Sequence, residues 1–154
     1  MKKLLILVVI IVAGIVLFLP KQSSLDEPKN KTSLCKGEAA CLEGIVTKVV
    51  DGDTLDVNGI RVRLSLVNAP EIGTPPGESA KKFAETVCAV GSPVLFDQDD
   101  LQKIDSFGRM LGTVKCGYVN LNQALLESGL AVIETKFCPE SEFKNEEWAV
   151  KFGC

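Results

Sequence analysis

Residues 44–71, GIVTKVVDGDTLDVNGIRVRLSLVNAPE, decide the fold. A mostly apolar run over residues 45–50 leads into Asp51-Gly52-Asp53-Thr54, and a second short run ends at Asn58-Gly59. Asn-Gly between alternating segments is the strongest two-residue hairpin signal, because both positions of the turn demand positive φ. The returning strand alternates Arg61, Arg63 and Ser65 with Val62, Leu64 and Leu66, which predicts one polar face and one core face. It breaks at Asn68-Ala69-Pro70-Glu71. Packing alone has no use for that many charges beside one hairpin.

Outward from this stretch, residues 73–77 (GTPPG) read as a loop. A helix follows, with Ala80, Phe83, Ala84, Val87 and Cys88 at helical spacing. Residues 93–96 form a strand, residues 97–108 a charged loop and residues 109–116 another strand. Asn120 caps a helix that turns Leu121, Ala124 and Leu125 inward and stops at Gly129. Residues 130–133 suit a brief strand, and Ser141 caps a last helix carrying Phe143, Trp148 and Phe152. About five strands, consecutive at first, with about three helices inserted later, define an α+β fold: a five-stranded antiparallel β-barrel of the OB type.

The chain begins Met1-Lys2-Lys3, followed by an uninterrupted apolar run over residues 4–19. As a helix this run spans about 24 Å, against a hydrocarbon core of about 30 Å. No A-x-A-like cleavage site follows, so residues 1–20 are expected to be an uncleaved signal anchor, with a cleaved signal peptide as the alternative. Residues 21–34 are a polar tether, and residues 35–154 the folded domain. The leading lysines put the N-terminus in the cytoplasm and the domain outside: membrane-anchored and facing the exterior, or secreted if the segment is cleaved. Asn30-Lys31-Thr32 matches a glycosylation triplet that is too short to carry weight.

Formal charge is −3 and there is no histidine. The charge offers no general basic field for nucleic acid. The missing histidine excludes His-dependent triads, Cys–His nucleophiles and His-ligated zinc. Six cysteines without a C-x-x-C pair point to an oxidising compartment. Their pairing stays open from sequence: Cys35 with Cys41 is a local bridge, while Cys88 with Cys116 and Cys138 with Cys154 are working assignments. The last of these requires the chain to double back.

Asp51 and Asp53 sit two apart at a strand end. With Asn68, the Ala69 carbonyl and Glu71 they offer hard oxygen ligands suited to Ca²⁺ or Mg²⁺. The spacing does not fit an EF-hand loop, and Asp97, Asp99 and Asp100 read as a solvated loop. Arg63 and Arg109 present guanidinium forks that match phosphate oxygens. Arg61 falls opposite Asp56 and reads as a cross-strand ion pair. The simplest register puts Thr54 opposite Arg63, so a bulge or strand-end bend must bring Asp53 to Arg63.

At residues 44–137 the sequence resembles a staphylococcal-nuclease-like (thermonuclease) domain. VVDGDTLDV, RVRLSLVNAPE, ESAKKFAETV, DSFGRMLGTV and VNLNQALLESGLAVI stand in that family's order and near its spacing. The resemblance implies a five-stranded OB barrel and a Ca²⁺-dependent phosphodiesterase acting on DNA and RNA. It makes Asp53 a direct metal ligand, Ala69 a carbonyl ligand and Asp51 a carboxylate acting through water. Glu71 becomes the group that activates water, and Arg63 and Arg109 the pair that holds the phosphate. Asn68 replaces a family aspartate, which implies weaker Ca²⁺ binding or another divalent ion. Thr135 and Phe137 stand where well-known members carry nucleotide-contacting tyrosines; Phe137 keeps a stacking face. The implied function is a metal-dependent endonuclease outside the cytoplasm, with membrane contact through the N-terminal helix and no protein partner evident. The alternatives are a catalytically weak or inactive OB-fold module that binds nucleic acid or protein, and a disulfide-stapled protein with a structural calcium site.

Overall fold

A computed structural model describes residues 34–154. The expected anchor (1–20) and all but the last residue of the expected tether (21–34) lie outside the described residues. The central sheet runs β3-β2-β1-β5-β6-β7 and closes on itself through an added β3–β6 pairing. Five strands form the barrel: β1 (Cys41–Val49), β2 (Thr54–Val57), β3 (Ile60–Leu64), β5 (Pro93–Gln98) and β6 (Met110–Cys116). Every neighbouring pair around it is antiparallel except the closing one, where Val62, Arg63 and Leu64 run parallel to Met110, Leu111 and Gly112.

β1 serves two partners. Its first half pairs with β5, its second with β2, and the register shifts between Val46 and Lys48. Such an irregularity re-aims side chains. It explains why Val46 and Val49, three apart, are both buried on a strand whose inward positions should alternate. The Asn-Gly hairpin forms as the sequence demands. Asn58 and Gly59 have φ of 50° and 82°, Thr54 pairs with Arg63 and Asp56 with Arg61, and Arg61 meets Asp56 in an ion pair.

After β3, Leu66 turns the chain with φ 64°, a costly value for a residue with a Cβ. The chain then enters β4 (Val67–Asn68), which pairs antiparallel with β8 (Val132–Ile133). Helix α1 (Pro75–Val87) begins inside the stretch expected to be a loop. Thr74 caps it by accepting from Gly77 N at 3.2 Å, and two prolines occupy its first positions, where a missing N–H costs nothing. β7 (Val119–Asn120) leads into α2 (Leu121–Glu127), capped by Asn120. The final expected helix is instead two 3₁₀ turns, Thr135–Glu140 and Glu142–Asn145, followed by α3 (Glu147–Phe152).

One apolar core fills the barrel and the space beneath the helices. Leu55, Val57, Val62, Leu64, Phe96 and Val114 come from strands; Ala80, Ala84, Leu121, Leu125 and Trp148 come from helices. Asn122 is fully buried and satisfied: its Oδ1 accepts from Val114 N at 3.1 Å, and its Nδ2 donates to Ser65 O at 2.9 Å. Three disulfides form with the expected pairing: Cys35–Cys41, Cys88–Cys116 and Cys138–Cys154. The chain doubles back at its end through the 3₁₀ turns, bringing the last pair of Cα atoms to 5.5 Å.

The acidic stretch that begins at the end of β5 is not the solvated loop its composition suggests. Asp97 and Asp99 are 5% and 0% exposed. Asp99 Oδ1 accepts from the N–H groups of Leu101, Gln102 and Glu142, and its Oδ2 accepts from the Ser141 hydroxyl. Asp97 Oδ2 accepts from Lys36 N at 2.9 Å. Backbone donors, which composition does not reveal, make this burial tolerable.

Candidate active site

The Asp51–Gly52–Asp53 corner joins β1 to β2. A Cβ at Gly52 would lie 2.6 Å from Ala69 Cβ and 2.7 Å from Ala80 Cβ. Only glycine therefore lets the corner close onto Ala69 and α1. Asp51 Oδ1 accepts from Asp53 N at 3.0 Å. Asp53, 5% exposed, accepts from Ala69 N at 2.7 Å and from the Thr54 hydroxyl at 3.1 Å, and its Oδ1 meets Arg63 Nη1 in an ion pair. The required strand-end bend is thus present. Thr54 faces Arg63 across the ladder, while Asp53 curls past the strand end to reach the guanidinium.

Arg63 Nη2 donates to Asn68 Oδ1 at 3.2 Å and lies 3.8 Å from Glu134 Oε2. Arg109 is fixed from the other side. Asp105 Oδ1 accepts from the N–H groups of Phe107 and Arg109 (2.8 and 2.9 Å), its Oδ2 accepts from Arg109 Nε at 2.6 Å, and Gly108 turns with φ 80°. Arg109 Nη1 reaches the Thr54 hydroxyl at 3.3 Å, and its Cζ lies 5.3 Å from the Phe107 ring centroid. The two arginines are therefore linked through Asp53 and Thr54. Glu71 sits on the rim, exposed, just before α1. Its carbonyl accepts from the Thr74 hydroxyl at 2.7 Å. A Cβ at Gly77 would fall 2.0 Å from that same carbonyl oxygen, so the glycine lets the 70–71 backbone lie across the first helical turn.

Arg63, Phe107 and Arg109 stand at the junction of two lobes. One, of about 220 Å³, carries Asp51, Asp53, Asn68, Ala69 and Glu71. The other, of about 200 Å³, has an apolar floor including Leu64, Val67 and Leu111, and a rim carrying Glu134, Lys136 and Phe137. Phe107 is 82% exposed. Phe137 is half-buried beneath Lys136 Nζ, 4.7 Å from the ring centroid. Thr135 lines neither lobe. Sequence reasoning missed Glu134, Asp105 and Phe107 as parts of the site. Asp105 precedes Arg109 by four residues in a Gly-containing turn, a usable local signal; Glu134 gave none.

Burial, and then the neighbouring Asp53 carboxylate, push the Asp51 carboxyl above its ordinary value. Partial burial acts the same way on Asp105. There it is outweighed by the hydrogen bonds from Arg109 N, the Arg109 guanidinium and Phe107 N, which hold that carboxyl low. Among the described residues no group of three His, Cys, Asp or Glu side chains could hold a metal ion. Any ion in the first lobe must therefore lean on amide and backbone oxygens as well as carboxylates.

The barrel closed by β3–β6, with a few helices around it, has the OB-type α+β fold of the family described as staphylococcal nuclease homologue. That family matches residues 61–150, and the chain belongs to it. The matched span holds Arg63, Asn68, Ala69, Glu71, Arg109, Thr135 and Phe137, and starts after Asp51 and Asp53. The chain is 30% identical over 128 residues to Endonuclease YncB of Bacillus subtilis (strain 168), covering 76% of this chain and 60% of the relative. It is 30% identical over 108 residues to micrococcal nuclease of Shigella flexneri, covering 60% and 58% respectively. With an uncharacterised protein of Bacillus anthracis it shares 34% over 110 residues, covering 65% and 51%. The chain thus spans between half and three fifths of the length of these relatives.

Proposed function

We propose that this chain is a divalent-cation-dependent nuclease that hydrolyses phosphodiester bonds of DNA or RNA outside the cytoplasm. The observation that carries the reading is the pair Arg63 and Arg109, fixed through Asp53 and Thr54 at the mouth of a carboxylate lobe. Two structural arginines would not need exposure to a shared cleft. Two phosphate ligands do.

The donor chemistry of the first lobe fits an oxygen-loving ion of the calcium type, the ion on which the family generally depends. Asp51 and Asp53 supply charge, Asn68 Oδ1 and the Ala69 carbonyl neutral oxygens. Burial first, and then the Asp53 charge, push the Asp51 carboxyl up, and a cation beside it would offset both. With an amide at residue 68 the set carries less charge than the family pattern implies, which suits a weak site. Extracellular calcium modules work with dissociation constants of about 10⁻⁴–10⁻³ M. When bound, the ion supplies Lewis-acid polarisation of a phosphoryl oxygen.

The chain's own residues do the rest. Glu71, exposed on the rim, orients a water and accepts its proton. Arg63 and Arg109 hold the phosphate by paired N–H donors and offset charge growing on its oxygens. Phe107 and Phe137 offer ring faces on which bases stack. Three disulfides among the described cysteines, with none left free, support an oxidising location. The N-terminal segment is the proposed anchor or export signal.

Cleavage of labelled single-stranded DNA and RNA by the purified, oxidised protein tests this, with Ca²⁺, Mg²⁺, Mn²⁺ or chelator present. Cutting should require an ion. Glu71→Gln should lower kcat about 10²–10⁴-fold, and Arg63→Ala about 10²–10³-fold, with smaller effects on KM. Wild-type turnover in Glu71→Gln would remove Glu71 from the chemistry. A folded protein that cuts nothing under any ion would leave the binding-module reading, with Asn68 as its cause.

A further inference from the structure

Glu134 is a carboxylate beside groups that must bind phosphate, where its charge opposes the substrate. Its place is not accidental. Glu134 N donates to Leu66 O at 3.0 Å and its carbonyl accepts from Phe137 N at 3.0 Å, so the β4–β8 ladder and the following 3₁₀ turn fix its backbone. Its side chain takes no part in capping that turn. Instead Oε2 lies 3.8 Å from Arg63 Nη2 and Oε1 lies 3.4 Å from Lys136 Nζ, with the Glu134 side chain only 21% exposed.

Arg63 is thereby held by opposing tethers. Asp53 draws Nη1 toward the carboxylate lobe, and Glu134 stands against Nη2 on the side of the apolar-floored lobe. The third partner, Asn68 Oδ1, is a neutral amide, and neutral acceptors hold a guanidinium about half as strongly as charged ones. Without Glu134, the only charged partner left to Arg63 among the described residues is Asp53, and the fork folds toward the carboxylate lobe. With it, the fork spans the junction where a strand crossing both lobes places its phosphate.

We propose that Glu134 is a positioning residue for Arg63. It rests on the nuclease reading above. Glu134 adds nothing to attraction for the substrate; what it contributes is the angle of the guanidinium, and hence turnover.

The test is the steady-state and single-turnover kinetics of the whole oxidised protein on a short single-stranded DNA at saturating Ca²⁺. The parent is compared with Glu134→Gln, Glu134→Asp, Arg63→Lys and the double variant Arg63→Lys/Glu134→Gln. Misorientation of a reacting group costs on the order of ten- to hundredfold. Glu134→Gln should therefore lose about tenfold in kcat, while KM stays level or falls because an adverse charge is gone. Glu134→Asp should recover part of the loss. In the Arg63→Lys background the glutamine should change kcat by less than about twofold, since the fork it aligns is no longer there. Thermal unfolding of each variant separates lost turnover from lost fold, and Glu134→Asp supplies the readout should the glutamine fold poorly. A fall in KM with kcat unchanged or raised in Glu134→Gln would make Glu134 a mere adverse charge and overturn the inference alone. So would the same tenfold loss persisting in Arg63→Lys. A parent protein that cuts nothing overturns the nuclease reading and this inference together.

Discussion

Asn68 offers its Oδ1 both to the carboxylate lobe and to Arg63 Nη2, 3.2 Å away. Ligand charge count, with site rigidity, tunes calcium affinity. Asn68→Asp should therefore tighten Ca²⁺ binding by about tenfold, or about 1.4 kcal/mol, read by calorimetry on the substrate-free protein. The new carboxylate would also grip Arg63 harder, so turnover should rise by less than affinity. An unchanged dissociation constant would remove residue 68 from the donor set. Asp51 gives a second reading of the same lobe. Its carboxyl is raised by burial and by Asp53, and a cation binds the ionised form. As pH falls, Asp51 gains its proton above the ordinary carboxylate value, and affinity drops from there downward. Ca²⁺ binding just above that range should release protons, measurable by calorimetry in buffers of different ionisation enthalpy. Asp51→Asn should abolish the release. Proton release that survives Asp51→Asn would assign the titration to another group.

At the scale of elements, the hairpin was the most legible piece because its instruction is local. Asn58 both tolerates positive φ and braces the neighbouring strand: its Oδ1 accepts from Ile45 N at 3.0 Å and its Nδ2 donates to Glu43 O at 3.4 Å. Asn58→Ala should cost about 2 kcal/mol, combining left-handed strain of about 1 kcal/mol with lost hydrogen bonds of about 1 kcal/mol. Asn58→Gly keeps the conformation and should cost only the second part. Equal losses in urea unfolding would show that the conformation is not what Asn58 contributes. Helix α1 is legible in its apolar stripe but not at its start, where Pro75-Pro76 has the composition of a loop and only the Thr74 cap makes it the first helical turn. The acidic run at the end of β5 does not read as buried because its burial depends on backbone donors from residues 36, 101, 102 and 142. Periodicity carries no trace of such partners.

For the whole molecule the same distinction governs the site. Asp51, Asp53, Arg63, Asn68, Ala69 and Glu71 lie within one short stretch, and their spacing was readable. Arg109 joins them because β6 runs parallel to β3, setting Met110 beside Val62, and Glu134 joins through the β4–β8 ladder. Long-range pairing assembles those contacts, and no local pattern encodes it. The disulfides add constraints whose pairing the sequence left open, and their loops rank their worth. Separations of 28, 16 and 6 residues for Cys88–Cys116, Cys138–Cys154 and Cys35–Cys41 correspond to about 3.6, 3.1 and 2.2 kcal/mol of denatured-state constraint. Pairwise alanine variants should lose stability to urea in that order, with Cys88/Cys116 losing more still because both residues are buried in the core. Cys138–Cys154 should differ in kind. It ties the turn carrying Lys136 and Phe137 to the chain end, so its removal should raise KM as well as lower stability, whereas the Cys35–Cys41 variant should keep KM. A Cys138/Cys154 variant that unfolds early yet binds substrate normally would show that the cleft wall is held by the β4–β8 ladder alone.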